Sequence, residues 1–168
     1  MINYCSKCGS NDIIAKESYK VCNSCNTEFY DNPKATVGVV LTNNNKVFLA
    51  KRNINPGKGQ WAIIAGFVEN TETSEKALIR EIKEELTLEL DADSLEYICS
   101  KNHFYTYRED TFRTLLSVFV YELSDDLIPR IKINNENSEC GFFAISEVEE
   151  FYNQGFLYPD NWQIIQKV

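Results

Sequence analysis

An α+β domain behind a small cysteine-rich ribbon is the fold class this 168-residue chain predicts, on three observations. Two Cys-x-x-Cys pairs, Cys5/Cys8 and Cys22/Cys25, fall within the first 25 residues. Runs rich in β-branched and aromatic residues, punctuated by Asn, Gly and Pro, fill most of the remaining chain. Between them a central stretch places Leu78, Ile82 and Leu86 at helical spacing, and a shorter helical stretch trails near the end. A hydrophobic content of 43% suffices for one packed domain plus an appendage. No apolar run approaches the ~20 residues of a membrane span. The start, Met1-Ile2-Asn3-Tyr4-Cys5, lacks the basic-then-apolar order of an export signal, so a cytoplasmic protein without membrane partners is expected. A net charge of −8 argues against a nucleic-acid groove. It leaves room for a nucleotide whose charge is met by metal, and a homodimer is compatible with it.

Thirteen residues separate the cysteine pairs. In a reducing compartment that spacing suits one tetrahedral four-thiolate zinc site better than two disulfides. Gly9 and Asn26, each directly after a pair, tolerate the left-handed backbone such knuckles use. With short strands at 12–17 and 19–21, residues 1–31 read as a zinc ribbon, and Tyr30-Asp31-Asn32-Pro33 as the turn leaving it. Residues 34–168 form the main domain. Strands are expected at 34–42 and 46–52 around Asn43-Asn44-Asn45, then a mobile loop at 53–60 holding Pro56, Gly57 and Gly59. A short strand at 61–64 feeds Gly66. Thr73 is placed to cap the central helix, with Glu75 in its first turn. Two long strands, 95–107 and 113–123, flank Glu109-Asp110; another follows at 140–144, then helices at 146–151 and 161–167. Phe104, Tyr105 and Tyr107 have rings able to stack on a base, though in a strand the core is the commoner place for them; His103 reads as incidental, and Cys99 and Cys140 as small buried residues.

The central helix carries the chemistry. At about 100° per residue, Glu81, Glu84 and Glu85 share one arc with Ala77, while Leu78, Ile79, Ile82 and Leu86 occupy the next. One side packs on a core and its neighbour concentrates negative charge. Like charges three or four residues apart cost roughly a few tenths of a kcal/mol per pair. A solvated acidic face would bear that cost uncompensated. A hard divalent cation offsets it, since Mg²⁺ takes carboxylate oxygens and usually holds substrate phosphates as well.

The surroundings of these glutamates favour the metal. From Gly66 the chain runs five residues to Glu72 and seven more to Arg80-Glu81-Ile82-x-Glu84-Glu85-x-Thr87-Leu88. This resembles the Nudix box of the Nudix hydrolases at every defining position but one: Thr87 stands where that family has a glycine just past the helix. A glycine suits the left-handed cap there; threonine must bear an estimated 1–2 kcal/mol of strain or end the helix differently.

The resemblance implies an α/β/α sandwich around a mixed sheet and a dependence on Mg²⁺ or Mn²⁺. It implies Glu81 and Glu85 as the main metal ligands, with Glu84 and the Ala65 carbonyl beside them. Arg80 would orient these carboxylates, while Gly66 and Glu72 shape the loop. A metal-held water would then attack a phosphorus of a nucleoside diphosphate linked to a second group, giving a nucleoside monophosphate and the phosphorylated second group. Members of the family draw their general base from the first helix glutamate, here Glu81, or from a later loop. Glu136 and Glu139 lie in the candidate loop, and Glu139-x-x-Phe142-Phe143 resembles the family's glutamate before an aromatic pair, favouring Glu139.

Ala65-Gly66-Phe67-Val68-Glu69 is similar to the form of this loop in NADH pyrophosphatases, which also carry a zinc ribbon followed five residues later by a substrate-contacting tyrosine. Tyr30 matches that tyrosine, and Phe67 joins it as a substrate contact. Ser100-Lys101-Asn102-His103-Phe104-Tyr105 stands where those enzymes have Ser-Gln-Pro-Trp-Pro-Phe-Pro, which removes the reason to single out NADH. ADP-ribose or a similar dinucleotide is expected as substrate. The alternatives are a house-cleaning hydrolase of modified nucleoside triphosphates and a non-catalytic nucleotide sensor. The intact glutamate set speaks against the sensor. A nucleic-acid adapter is disfavoured because the ribbon balances Lys7, Lys16 and Lys20 against Asp12, Glu17 and Glu28.

Overall fold

The structure, a computed structural model, describes residues 4–168, and the chain divides after Pro33 into two compact units. The first is a three-stranded antiparallel sheet, β1 (Ile13–Ala15), β2 (Tyr19–Cys22) and β3 (Glu28–Tyr30), in that order. Gly9 (φ 73°) and Asn26 (φ 56°) adopt the left-handed backbone expected of them. Their N–H groups close tight turns onto the Cys5 and Cys22 carbonyls, both at 2.8 Å. Tyr30 ends a strand rather than opening a turn, because it pairs with Tyr19 in register and their rings stack at 5.6 Å.

The second unit contains β4 (Lys34–Asn43), β5 (Lys46–Arg52), β6 (Trp61–Ala62), β7 (Ile64–Phe67), α1 (Ser74–Leu86), β8 (Glu96–Tyr107), β9 (Asp110–Glu122), β10 (Asn137–Ala144), α2 (Ile145–Asn153) and α3 (Asn161–Ile165). The mixed sheet runs β10-β5-β4-β9-β8, with β6 added to β5 and β7 to β4; only β4 and β9 run parallel among these pairs. Alternation along the strands feeds two cores. Val37, Val39, Leu41 and Phe119 face Leu78, Ile82 and Leu86 of α1. Val40, Leu49 and Val118 face Val148 of α2 and Ile164 and Ile165 of α3. Helices thus cover both faces of the sheet. Among the described residues no helix is long and apolar enough to cross a membrane.

Two local features position the site. First, β4 and β5 pair only at Thr42–Val47 and Asn43–Lys46, beside a turn in which Asn44 and Asn45 have φ of 49° and 59°. Beyond it β4 takes β7 as its neighbour and β5 takes β6, so the two strands part. The strand expected at 61–64 is accordingly two strands broken at Ile63, whose N–H donates to the Asn161 side chain at 2.9 Å instead of to the ladder. Second, α1 ends on Thr87 with φ 59° and ψ 26°, in the left-handed region itself. The threonine N–H bonds the Lys83 carbonyl at 3.0 Å, and its hydroxyl donates to the Lys132 carbonyl at 3.2 Å. The following segment covers the helix end, with Lys132 N–H on the Leu86 carbonyl and Asn134 N–H on the Glu85 carbonyl.

Other expectations shift. The loop 53–60 is fastened rather than loose, with Arg52 N–H on the Gln60 carbonyl and Gly59 N–H on the Arg52 carbonyl. β9 begins at Asp110, across a tight turn at Arg108 (φ 55°), because Thr111 and Phe112 continue the pairing with β8. Cys140 is exposed and Cys99 half-buried, since both lie on edge strands.

Candidate active site

Thr73 caps α1 as expected, its side chain accepting from Lys76 N–H. The helix lays its glutamates against β7. A Cβ on Gly66 would stand 2.0 Å from Cδ of Glu81, so only glycine lets this carboxylate reach its place. Arg80 is the hub. Its Nε and Nη2 grip the two oxygens of Glu72 at 2.8 and 2.9 Å, Nη1 holds Glu81 at 2.7 Å and Glu84 at 3.4 Å, and Nη2 also reaches the Phe67 carbonyl at 2.9 Å. Glu72 in turn accepts from Glu69 N–H at 3.0 Å, closing the loop onto the helix. The fork geometry explains why arginine stands here: one planar cation ties a loop carbonyl and three carboxylates.

The arrangement divides the acids by environment. The Arg80 guanidinium and the Glu69 amide hold Glu72 down to about 2. Burial pushes Glu81 above the usual carboxylate range despite Arg80. Glu85 is pushed up to about 7 by burial, only partly countered by the Asn137 amide, whose Nδ2 donates to its Oε2 at 2.8 Å. Glu72 is thus held as an anion by its structural partner, whereas burial favours the protonated forms of Glu81, which shares Arg80, and of Glu85, whose carboxylate has only the Asn137 amide.

These groups floor a cleft of roughly 380 Å³ that opens where β4 and β5 part. Glu81, Glu84, Glu85 and Ala65 lie along it, as does Phe67 on the wall. The Phe67 ring meets Tyr105 edge-on at 5.7 Å, and His103 and Tyr105 extend that wall. The strand β8 aromatics are therefore not core: Tyr105 faces the cleft, while Phe104 is 63% exposed and Tyr107 is also exposed. His103, expected to be incidental, lines the cleft.

Glu139 is a correction. A register irregularity between Asn137 and Glu139 sets the latter opposite Lys51, whose Nζ holds its carboxylate at 3.0 Å, with the Glu139 side chain 57% exposed and off the cleft. Of the two acids in the 134–139 loop, it is Glu136 that lines the cleft, anchored through its carbonyl to Asn53 N–H at 2.7 Å. Tyr30 lies in the ribbon unit, 60% exposed, its hydroxyl donating to Glu28 at 2.9 Å. Sequence reasoning passed over Arg52, Asn137 and Tyr158. Only the alternation of β5, which turns Arg52 to the face opposite Lys51, was available to signal any of them.

In the ribbon, the four cysteine sulfurs lie within 4.8 Å of one another, with Cys5–Cys25 and Cys8–Cys22 at 3.6 Å. A tetrahedron with metal–sulfur arms of about 2.3 Å has edges near 3.8 Å, so the set fits one metal and no disulfide. The cleft acids suit a divalent cation by the chemistry of their donors, although their oxygens are not gathered as the four sulfurs are. They supply hard oxygen donors on one helix face, in a notch that a side chain at Gly66 would fill.

Comparison with known proteins agrees. A family model described as NUDIX domain matches residues 32–168. An ADP-ribose pyrophosphatase of Methanocaldococcus jannaschii is 31% identical over 147 residues, 88% of this chain and 80% of that protein. A NAD-capped RNA hydrolase NudC of Vibrio atlanticus is 31% identical over 101 residues, 60% of this chain and only 36% of that protein's length. Among solved structures, a NUDIX hydrolase of Nitrosomonas europaea superposes with a TM-score of 0.62 at 29% identity, covering 87% of this chain and 80% of that one.

Proposed function

The chain belongs to the NUDIX family, and on that premise we propose that it hydrolyses the diphosphate of a nucleoside diphosphate linked to a second group. ADP-ribose or an NADH-like dinucleotide is the substrate, and a nucleoside monophosphate and the phosphorylated second group are the products. The observation that carries this reading is that Glu81, Glu84 and Glu85 of one helix all line a cleft whose wall is aromatic. The relative from M. jannaschii, matched over most of its length, supports ADP-ribose within that class.

Glu81, Glu85, Glu84 and the Ala65 carbonyl would hold Mg²⁺ or Mn²⁺, which when bound neutralises phosphate charge and lowers the pKa of a water. Arg80 keeps the carboxylates aimed by gripping Glu72, Glu81 and Glu84 at once. Asn137 fixes one oxygen of Glu85 and leaves the other free. Glu136, the loop carboxylate on the cleft, takes the proton of the attacking water in place of Glu139. Phe67, with Tyr105 against it, packs on the substrate's base or sugar. The four cysteines hold a structural zinc that takes no part in the reaction.

The test is a hydrolysis panel of ADP-ribose, NADH and nucleoside triphosphates with each metal. AMP should appear from ADP-ribose or NADH at a higher kcat/KM than from any triphosphate. Triphosphates outranking every dinucleotide would replace this reading with the house-cleaning one.

A further inference from the structure

We infer that the ribbon is a site of reversible thiol oxidation, in which hydrogen peroxide attacks Cys8 and Cys22 closes a disulfide onto it. The inference rests on the zinc site proposed above and concerns what the same four sulfurs do when an oxidant reaches them.

Three observations carry it. Exposure divides the sulfurs: Cys5 and Cys22 are buried and Cys25 is half-buried, whereas Cys8 is exposed. A metal ligand is a thiolate, and oxidation of thiolates follows their exposure. Cys8 is therefore the sulfur that a small oxidant meets first. Proximity then names its partner. Cys22 Sγ lies 3.6 Å from Cys8 Sγ, while Cys5 and Cys25 form the other close pair at 3.6 Å. A disulfide bond of about 2.05 Å asks the Cys8 and Cys22 sulfurs to close by about 1.5 Å from that starting distance.

Packing sets the consequence. Among the described residues up to Pro33, Cys5 and Cys22 are the only buried ones, and the two apolar cores described above belong to the main unit. The interior of the ribbon is thus its own sulfurs. Its strands, of three, four and three residues, bury no apolar core that would hold them once those sulfurs let go.

The chemistry balances with one hydrogen peroxide. As the Cys8 sulfur bonds to a peroxide oxygen, the O–O bond breaks, hydroxide leaves and a sulfenic acid remains. The Cys22 thiolate attacks that sulfur, the S–S bond forms, the S–O bond breaks and a second hydroxide leaves. Two thiolates have been oxidised to one disulfide and one peroxide reduced to two hydroxides. Cys5 and Cys25 remain, two ligands where a closed site needs four, so zinc departs. The ribbon then loses its interior while residues 34–168 keep both of their cores. A dithiol reductant with added zinc reverses the change by thiol–disulfide exchange.

The full chain, loaded with zinc and freed of excess metal and reductant, is treated with hydrogen peroxide while a chromogenic chelator reads released zinc. Dimedone in a parallel sample traps sulfenic acid, and peptide mass spectrometry locates the adduct and the disulfide. The expected result is release of about one equivalent of zinc, a dimedone adduct on Cys8, a Cys8–Cys22 disulfide, and recovery of zinc binding after dithiothreitol and zinc are added. Cys8→His, which keeps four ligands but removes the exposed thiolate, should release zinc at least tenfold more slowly. Cys25→His should release it within twofold of the wild-type rate. Zinc retained under excess peroxide, a first adduct on Cys25, or a Cys5–Cys25 disulfide in place of Cys8–Cys22 would overturn the inference. If the histidine variants do not hold zinc, the adduct and the disulfide found in the wild type decide. A protein that never takes up zinc would sink the zinc site and this inference together, whereas zinc held and not released counts against this inference alone.

Discussion

Replacing Glu85 by glutamine removes a buried charge while keeping the shape and the oxygen that accepts from Asn137. In the metal-free protein the Glu85 carboxyl is held near 7, against an ordinary value of 4.5, mainly by burial. Two and a half pH units at 1.36 kcal/mol each give about 3 kcal/mol as the cost of the buried anion. The sign follows from the direction of the shift. A raised carboxyl favours folding below pH 4.5, where both states are protonated, and that contribution is lost as pH rises towards 7. Glutamine has no such loss. Glu85→Gln should therefore match wild type near pH 4.5 and exceed it increasingly up to pH 7, with a constant advantage above. At roughly 2–4 °C per kcal/mol for a chain of this size, the gap is on the order of 6–12 °C. Thermal unfolding followed by circular dichroism, in buffer without added Mg²⁺ or Mn²⁺, reads it directly. A gap that is constant from pH 4.5 to 8.5 would refute the reasoning. With Mg²⁺ present the same variant should lose turnover by orders of magnitude, because the stabilised protein has lost a metal ligand.

The same geometry sets further outcomes. Gly66→Ala should lower kcat at least a hundredfold with little change in fold, since the added carbon displaces Glu81 from Arg80; near-normal turnover in steady-state assays would contradict that. Glu136→Gln should lower kcat strongly, whereas Glu139→Gln should leave it within twofold of wild type. Metal analysis after dialysis should find one equivalent of zinc, lost when Cys22 is replaced by serine, and two disulfides by mass spectrometry would refute the ribbon assignment. Thr87→Val, which keeps the strained branched side chain but loses the bond to Lys132, should cost about 1 kcal/mol. Thr87→Gly, which relieves the strain as well, should be at least as stable as wild type in denaturant titration.

The parts legible in the sequence were those decided within a few residues. Thr73, the glutamate arc and the apolar arc of α1 needed only the helical period, and the cysteine pairs only their spacing. Contacts across long separations hid the rest. Ile63 leaves its strand because of Asn161, 98 positions later. One irregularity in β10 decides that Glu136 rather than Glu139 borders the cleft. Arg52 and Asn137 become neighbours only through the register of β5 and β10. His103 and Tyr105 carry no signal separating a cleft wall from a core, since alternation shows that two faces differ without showing what covers either.

The parting of β4 and β5 just past Asn44-Asn45 leaves a wedge that the hairpin closes at one end and the continuous 61–67 segment spans at the other. Phe67 hangs from β4 through β7, whereas Arg52 belongs to β5 and carries β6 with it. The strands are tied at only two residue pairs, next to the turn. Gauge is therefore shared between two fastenings, the turn at one end and Ile63, held by Asn161, at the other, so a change at either reaches the walls without touching an acid on the helix.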